Sequence, residues 1–173
     1  MRGRNSLRNK IRSELACVDQ RIVIFFAFFC LFIGILSAFV AGGFNIYDEL
    51  YLPDFAPPGF VFPIIWSVLY LLIGAASGIV TATREKSLCH IKLRGLFYFG
   101  VMLVLNFLWA PAFFGCGLFF VGLVIICAML VLSFFCLLCY SNISLASALI
   151  MLVYMTWLMY AAYLNLAILF LNA

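Results

Sequence analysis

PDFAPPGFVFPIIWSVLY, residues 53–70, carries four of the chain's five prolines and five aromatic side chains. It joins a polar, acidic insert, IYDELYLPDFAPP, to a long apolar run. Pro57 holds Ala56 extended, and Pro58 suits the first position of a helix, where its missing N–H is not needed. Beyond them Phe62, Trp66 and Tyr70 recur at helical spacing, with Ile73 and Ser77 continuing the same face. The stretch therefore predicts a rigid corner feeding a helix with one aromatic face. Pro63, just inside that helix, removes the hydrogen bond to Gly59 and is expected to kink it.

The composition decides what surrounds such a helix. Of 173 residues 68% are hydrophobic and 9% charged, with a mean hydropathy of +1.25, more apolar surface than one soluble core of this size can hide. The solvent is a bilayer. Five runs, about 22–44, 58–81, 95–114, 117–139 and 145–171, reach the roughly 20 residues a helix needs to cross about 30 Å of hydrocarbon. The expected fold is an all-α integral membrane protein, a five-transmembrane-helix bundle over residues 22–173 behind a basic tail, residues 1–21. Gly115 and Gly117 mark the faint boundary between the third and fourth runs.

Charge gives the topology. Six Lys and Arg residues precede the first run and four lie in REKSLCHIKLR between the second and third, whereas the first loop holds Asp48, Glu49 and Asp54 and no base. The positive-inside rule puts the N-terminus and second loop on the cytoplasm-equivalent side, and the first loop and C-terminal end opposite. In the tail, Arg4, Arg8 and Arg12 form one stripe and Leu7, Ile11 and Leu15 another, suited either to an anionic membrane surface or to setting topology alone. The following apolar run is too long for a cleaved signal peptide.

Few side chains could carry chemistry. No charged residue follows Arg94, and no nucleophile with a base, paired carboxylate or phosphate loop falls within the runs, which disfavours acid–base catalysis and ion-coupled pumping. Cys30, Cys116, Cys127, Cys136 and Cys139 sit in or beside apolar runs as small hydrophobes. Cys136 and Cys139 share a helix face without a second pair, and the sole histidine, His90, is in a distant loop, so no metal site is expected. Nothing points to nucleic acid. Tyr47, Tyr51 and Tyr98 read as interfacial anchors. Asn106, with Trp109 and Pro111 after it, lies in the third run. Tyr154, Trp157, Ala161 and Asn165 share a face of the fifth. Asn106 and Asn165 serve either as interhelical hydrogen-bond partners or, with Trp66, Trp109 and Trp157, as the polar contacts of a pocket for a flat apolar ligand. Gly34, Ala38 and Gly42 on the first run, and Gly74 and Gly78 on the second, permit close helix approach.

Three blocks in chain order, PDFAPPGFVFPIIWSVLY, LNFLWAPAFFG and YMTWLMYAAYLN, resemble the signature elements of the TspO/MBR family of translocator proteins. The resemblance implies a five-helix bundle, commonly a homodimer, around a pocket that the first loop partly covers. It implies a porphyrin, haem or lipid ligand, no obligatory cofactor, and a bacterial envelope or mitochondrial outer membrane as the location. Carried over, Trp66 and Trp157 match pocket tryptophans, Asn106 the polar contact, and Ala161, Leu164 and Asn165 the fifth-helix wall. Phe62, Tyr70, Trp109 and Tyr154 complete the expected ligand set, and Phe55, Pro57, Pro58 and Pro63 the expected lid.

Departures from the family pattern refine these expectations. Phe55 and Phe60 replace tryptophans, Met102 a glutamine, Val153 a proline and Tyr160 a phenylalanine, and the helix-start proline stands at Pro63 rather than at Ile64. Fewer indoles disfavour a light-dependent porphyrin-degrading enzyme, the alternative activity. LAILFLNA after Asn165 lacks the Tyr and Lys or Arg of a cholesterol motif, which removes that support for a sterol translocator. A membrane receptor or carrier is the preferred function.

Overall fold

The computed structural model describes Ile11 and residues 18–42 and 45–172. Five helices are long and apolar enough to cross a membrane: α1 (Gln20–Val40), α2 (Val61–Ala82), α3 (Cys89–Ala110), α4 (Phe119–Ser141) and α5 (Leu145–Leu171). Among the described residues there is no strand, as lipid requires of a chain that satisfies its backbone within each span. The reading of residues 1–21 as a basic amphipathic tail falls for the most part outside the described residues, as does Phe44 at the end of the expected first span.

Helix limits follow local chemistry. Asp19 caps α1 by accepting from the Arg21 N–H at 3.0 Å, and Gly42, at φ +74°, ends it. Gly42, expected on the α1 face with Gly34 and Ala38, lies instead past the helix end. A one-turn helix, Asn45–Asp48, opens the first loop. α3 starts six residues before the expected 95, because the charged half of the second loop is already helical. Charge there marks the membrane boundary, not the helix boundary. From α3, Lys92 Nζ donates to the carbonyls of Thr81 and Thr83, supplying positive charge where the α2 dipole ends negative. After α3 the chain continues as a π turn, Pro111–Gly115, closed by Cys116 N–H to Pro111 O at 2.9 Å, and Gly117 at φ +65° turns it into α4.

The expected kink at Pro63 is corrected. Residues 58–60 form a turn rather than helix, with Val61 N–H bonded to Pro58 O at 3.0 Å and Phe62 N–H to Gly59 O at 3.3 Å. Pro63 is the third residue of α2, so its missing N–H is one a first turn never uses, and the Gly59 carbonyl is already taken. The helix runs on without interruption to Ala82. Pro63→Ala is accordingly expected to change stability by under about 1 kcal/mol, read as an almost unchanged thermal midpoint in detergent; a large shift would restore the kink.

Packing closes the helices into a ring in the order α1, α2, α5, α4, α3 and back to α1, with a lesser contact between α2 and α3. α1 sits least deeply, burying only Cys30 and Ser37 while Phe25, Phe28, Phe32 and Phe39 face outward. Gly74 and Gly78 seat it against α2: a Cβ on Gly74 would lie 2.7 Å from Ala27 Cα, and one on Gly78 2.6 Å from Val23 Cα. The small residues of α2 thus serve packing within the chain. Further along, Ser37 Oγ donates to Phe107 O of α3 at 2.7 Å.

Candidate ligand site

An apolar cavity of about 160 Å³ lies between α1, α2 and α3 in the half of the bundle toward the first loop. The aromatic face of α2 supplies Trp66 and Tyr70, α3 supplies Asn106 and Trp109, and Gly34, Ser37 and Ala38 of α1 form the facing wall. Gly34 is there because the Tyr70 ring lies against its Cα, where any side chain would collide. Trp66 and Trp109 are 5.3 Å apart by ring centroid, and Trp109 stacks on Phe113 of the π turn at 5.3 Å. That column of rings fills the bundle centre.

Polar atoms in this wall are few and unmatched. Asn106 Nδ2 donates to Tyr154 Oη at 2.6 Å, and the Tyr154 hydroxyl donates in turn to Met129 Sδ at 3.8 Å. This relay fixes the amide and leaves Asn106 Oδ1 without a partner. Trp66 Nε1 and Trp109 Nε1 are also unpartnered, although Asn106, Trp109 and Trp66 are only 2%, 4% and 9% exposed. Two donors and one acceptor left unpartnered beneath an apolar surface cost free energy, which a ligand with complementary atoms would recover once those side chains turn toward it.

The expected ligand residues do not converge on one pocket. Trp66, Tyr70, Asn106 and Trp109 meet around the cavity, with Pro63 at its edge. Phe62, Ala161, Leu164 and Asn165 line a separate void of about 10 Å³ on the far side of Trp109. Tyr154 is wholly buried behind Asn106, and Trp157 is half-buried beside Tyr160 at 5.3 Å; neither lines either space. The cause is the ring column, since Trp109 and Phe113 occupy the volume that would have joined them. Asn165 does serve as an interhelical link, donating to Phe119 O at 3.0 Å. Sequence reasoning missed Ser37 as a wall residue; a lone serine on a lipid-facing helix carries no periodic signal.

Of the expected lid, Pro63 lines the cavity and Phe55, Pro57 and Pro58 do not. No described residue of the first loop lines the cavity. Phe55 is 79% exposed, and its carbonyl accepts from Tyr160 Oη at 2.8 Å, so the hydroxyl of a tyrosine where the family pattern has phenylalanine is used to hold the loop. Pro57 O accepts from Tyr47 Oη at 2.9 Å, and the Pro58 carbonyl starts the turn into α2. Tyr47, expected as an interfacial anchor, is 1% exposed and packs on Phe62 at 4.9 Å. Burial first, then Tyr160 and Asp48, pushes its hydroxyl up to about 12, so it remains a donor at any physiological pH. Tyr51 and Asn172 exchange two bonds of 3.0 Å. The loop is strapped to α5, away from the cavity. Among the described residues no group of His, Cys, Asp or Glu could hold a metal.

Residues 26–171 match the TspO/MBR family. The chain is 32% identical over 126 residues to the tryptophan-rich protein TspO of Chlorobaculum tepidum, covering 73% of this chain and 78% of that one. It is 36% identical over 121 residues to the tryptophan-rich protein TspO of Archaeoglobus fulgidus, covering 70% and 76%. Protein CrtK of Rhodobacter capsulatus is 28% identical over 126 residues, with coverage of 73% and 78%.

Proposed function

From the membership of this multi-pass membrane chain in the TspO/MBR family, we propose that it is a receptor or carrier that binds a flat, mostly apolar ligand, of the porphyrin or haem class or a lipid, in the cavity between α1, α2 and α3. One observation carries the reading: Trp66, Tyr70, Asn106 and Trp109 line one mostly apolar cavity, and Trp66 Nε1, Trp109 Nε1 and Asn106 Oδ1 of those residues, buried beneath its surface, have no hydrogen-bond partner. Aromatic rings supply stacking area, and the three polar atoms fix orientation once their side chains turn toward the ligand. Among the described residues no charged side chain lines the cavity, and on this reading any movement of ligand runs down its gradient.

The chain's three tryptophans make the test direct. Protoporphyrin IX titrated into the purified protein is expected to quench the emission of Trp66 and Trp109, which line the cavity, more than that of Trp157, which does not. The Trp157→Phe variant should therefore retain most of the quenching and the Trp66→Phe, Trp109→Phe double variant lose most of it. Equal quenching in both would remove the cavity from the reading.

A further inference from the structure

The cavity is too small for the ligand class proposed above, and it has an open side. Sites that enclose a drug-sized molecule run to about 300–1,000 Å³, and an apolar cavity of about 150 Å³ holds a single benzene ring. The present 160 Å³ is one ring's worth. Along its edge lie Ile35 of α1, 58% exposed, and the exposed Pro63 of α2. Ile35 is five residues before the last residue of α1, about 8 Å along the axis at 1.5 Å per residue. That depth is about halfway into one leaflet of a 30 Å hydrocarbon core. The mouth thus faces acyl chains, between the least buried helix and its neighbour, while the strapped first loop lies off to the α5 side.

Resting on that ligand class, we infer that the ligand binds edge-on from the bilayer. One ring unit lodges among Trp66, Tyr70 and Trp109 against the α1 wall, small turns of the indoles and of Asn106 bring their buried, unpartnered polar atoms to its edge, and the rest of the molecule stays among lipid chains. Full enclosure would require moving α1, which Gly74, Gly78 and the bond from Ser37 to Phe107 hold in place. An edge-on ligand needs none of that. Recognition then reads one edge of the molecule, and size beyond that edge is not selected against.

The experiment uses the full chain in nanodiscs, with and without doxyl-labelled acyl chains, and protoporphyrin IX as probe. Bound porphyrin, identified by its quenching of tryptophan, is expected to be quenched by mid-chain doxyl groups nearly as well as porphyrin free in the same bilayer. Ala38→Trp, which fills the cavity from its half-buried α1 wall, should weaken binding about tenfold or more, and Ala161→Ser, which adds one atom beside the separate void by α5, by less than about threefold. Ile35→Trp at the mouth should slow association without abolishing tryptophan quenching at saturation. Bound porphyrin shielded from doxyl, or loss of binding in Ala161→Ser with none in Ala38→Trp, overturns edge-on binding and leaves the proposed ligand class standing. No tryptophan quenching in the unaltered protein overturns both.

Discussion

Gly74→Val is expected to leave little correctly assembled protein. A Cβ at this position meets the Phe26 carbonyl, and lies 2.7 Å from Ala27 Cα and 2.9 Å from Phe26 C. These are backbone atoms of a continuous helix, which cannot swing aside as a side-chain tip can. Overpacking that flexible neighbours absorb costs about 1–3 kcal/mol, and a collision with backbone belongs at or above the top of that range. α1 would have to move off α2, and with it the cavity wall formed by Gly34, Ser37 and Ala38. Gly100→Val is the control, because a Cβ there meets nothing within 4 Å while the loss of glycine and gain of a branched residue are the same. The measurement is the monodisperse fraction and thermal midpoint of the two variants in one detergent. Equal values would mean that α1 is not seated through Gly74.

The same glycine shows how much of the fold could be read without coordinates. Five spans were legible because the bilayer demands a length and a composition, and each demand is local. That Gly74 and Gly78 permit close approach was legible too, but not that the approaching element is α1, since a small residue says only that something comes near. Boundaries failed where the signal used was hydropathy: Lys92 and Arg94 lie before the apolar run yet are already inside α3. Pro63 failed for a related reason. Its effect depends on where the helix begins, and that is set by the turn at residues 58–60 and the bond from Phe62 to Gly59.

The candidate site was half legible. Periodicity put Phe62, Trp66 and Tyr70 on one face of α2, but a helix face about 100° wide can border two spaces, and here Trp66 and Tyr70 look onto the cavity while Phe62 borders the void near α5. What divides them is Trp109 of α3 stacked on Phe113, which a π turn that no residue pattern announced puts in place. The second reading of Asn106, as an interhelical partner, and the first, as a ligand contact, turn out not to compete. Its amide nitrogen is spent on Tyr154 and its oxygen is not spent at all.

Asn106→Leu separates those two roles by the sign of the effect on stability. If the amide mattered mainly as interhelical glue, its loss would destabilise the apo protein by about 0.6 kcal/mol, the mean for such bonds in a membrane. The substitution also removes an unpartnered buried oxygen, whose desolvation costs about 1–3 kcal/mol, and leucine keeps the number and branching of side-chain heavy atoms. Relief of that desolvation outweighs the lost bond, and Tyr154 keeps Met129 Sδ as a partner. The thermal midpoint of the ligand-free variant is therefore expected to hold or rise. Binding moves the other way: a donor on the ligand loses its acceptor, and at about 1.4 kcal/mol that is a tenfold weaker affinity for protoporphyrin IX, read from the tryptophan titration. Tyr154→Phe is the counterpart, since it strands Asn106 Nδ2 while leaving Oδ1 in place; it should lower the midpoint and cost affinity less. A lowered midpoint with unchanged affinity in Asn106→Leu would make Asn106 a structural residue and return the recognition of the ligand to the two indoles alone.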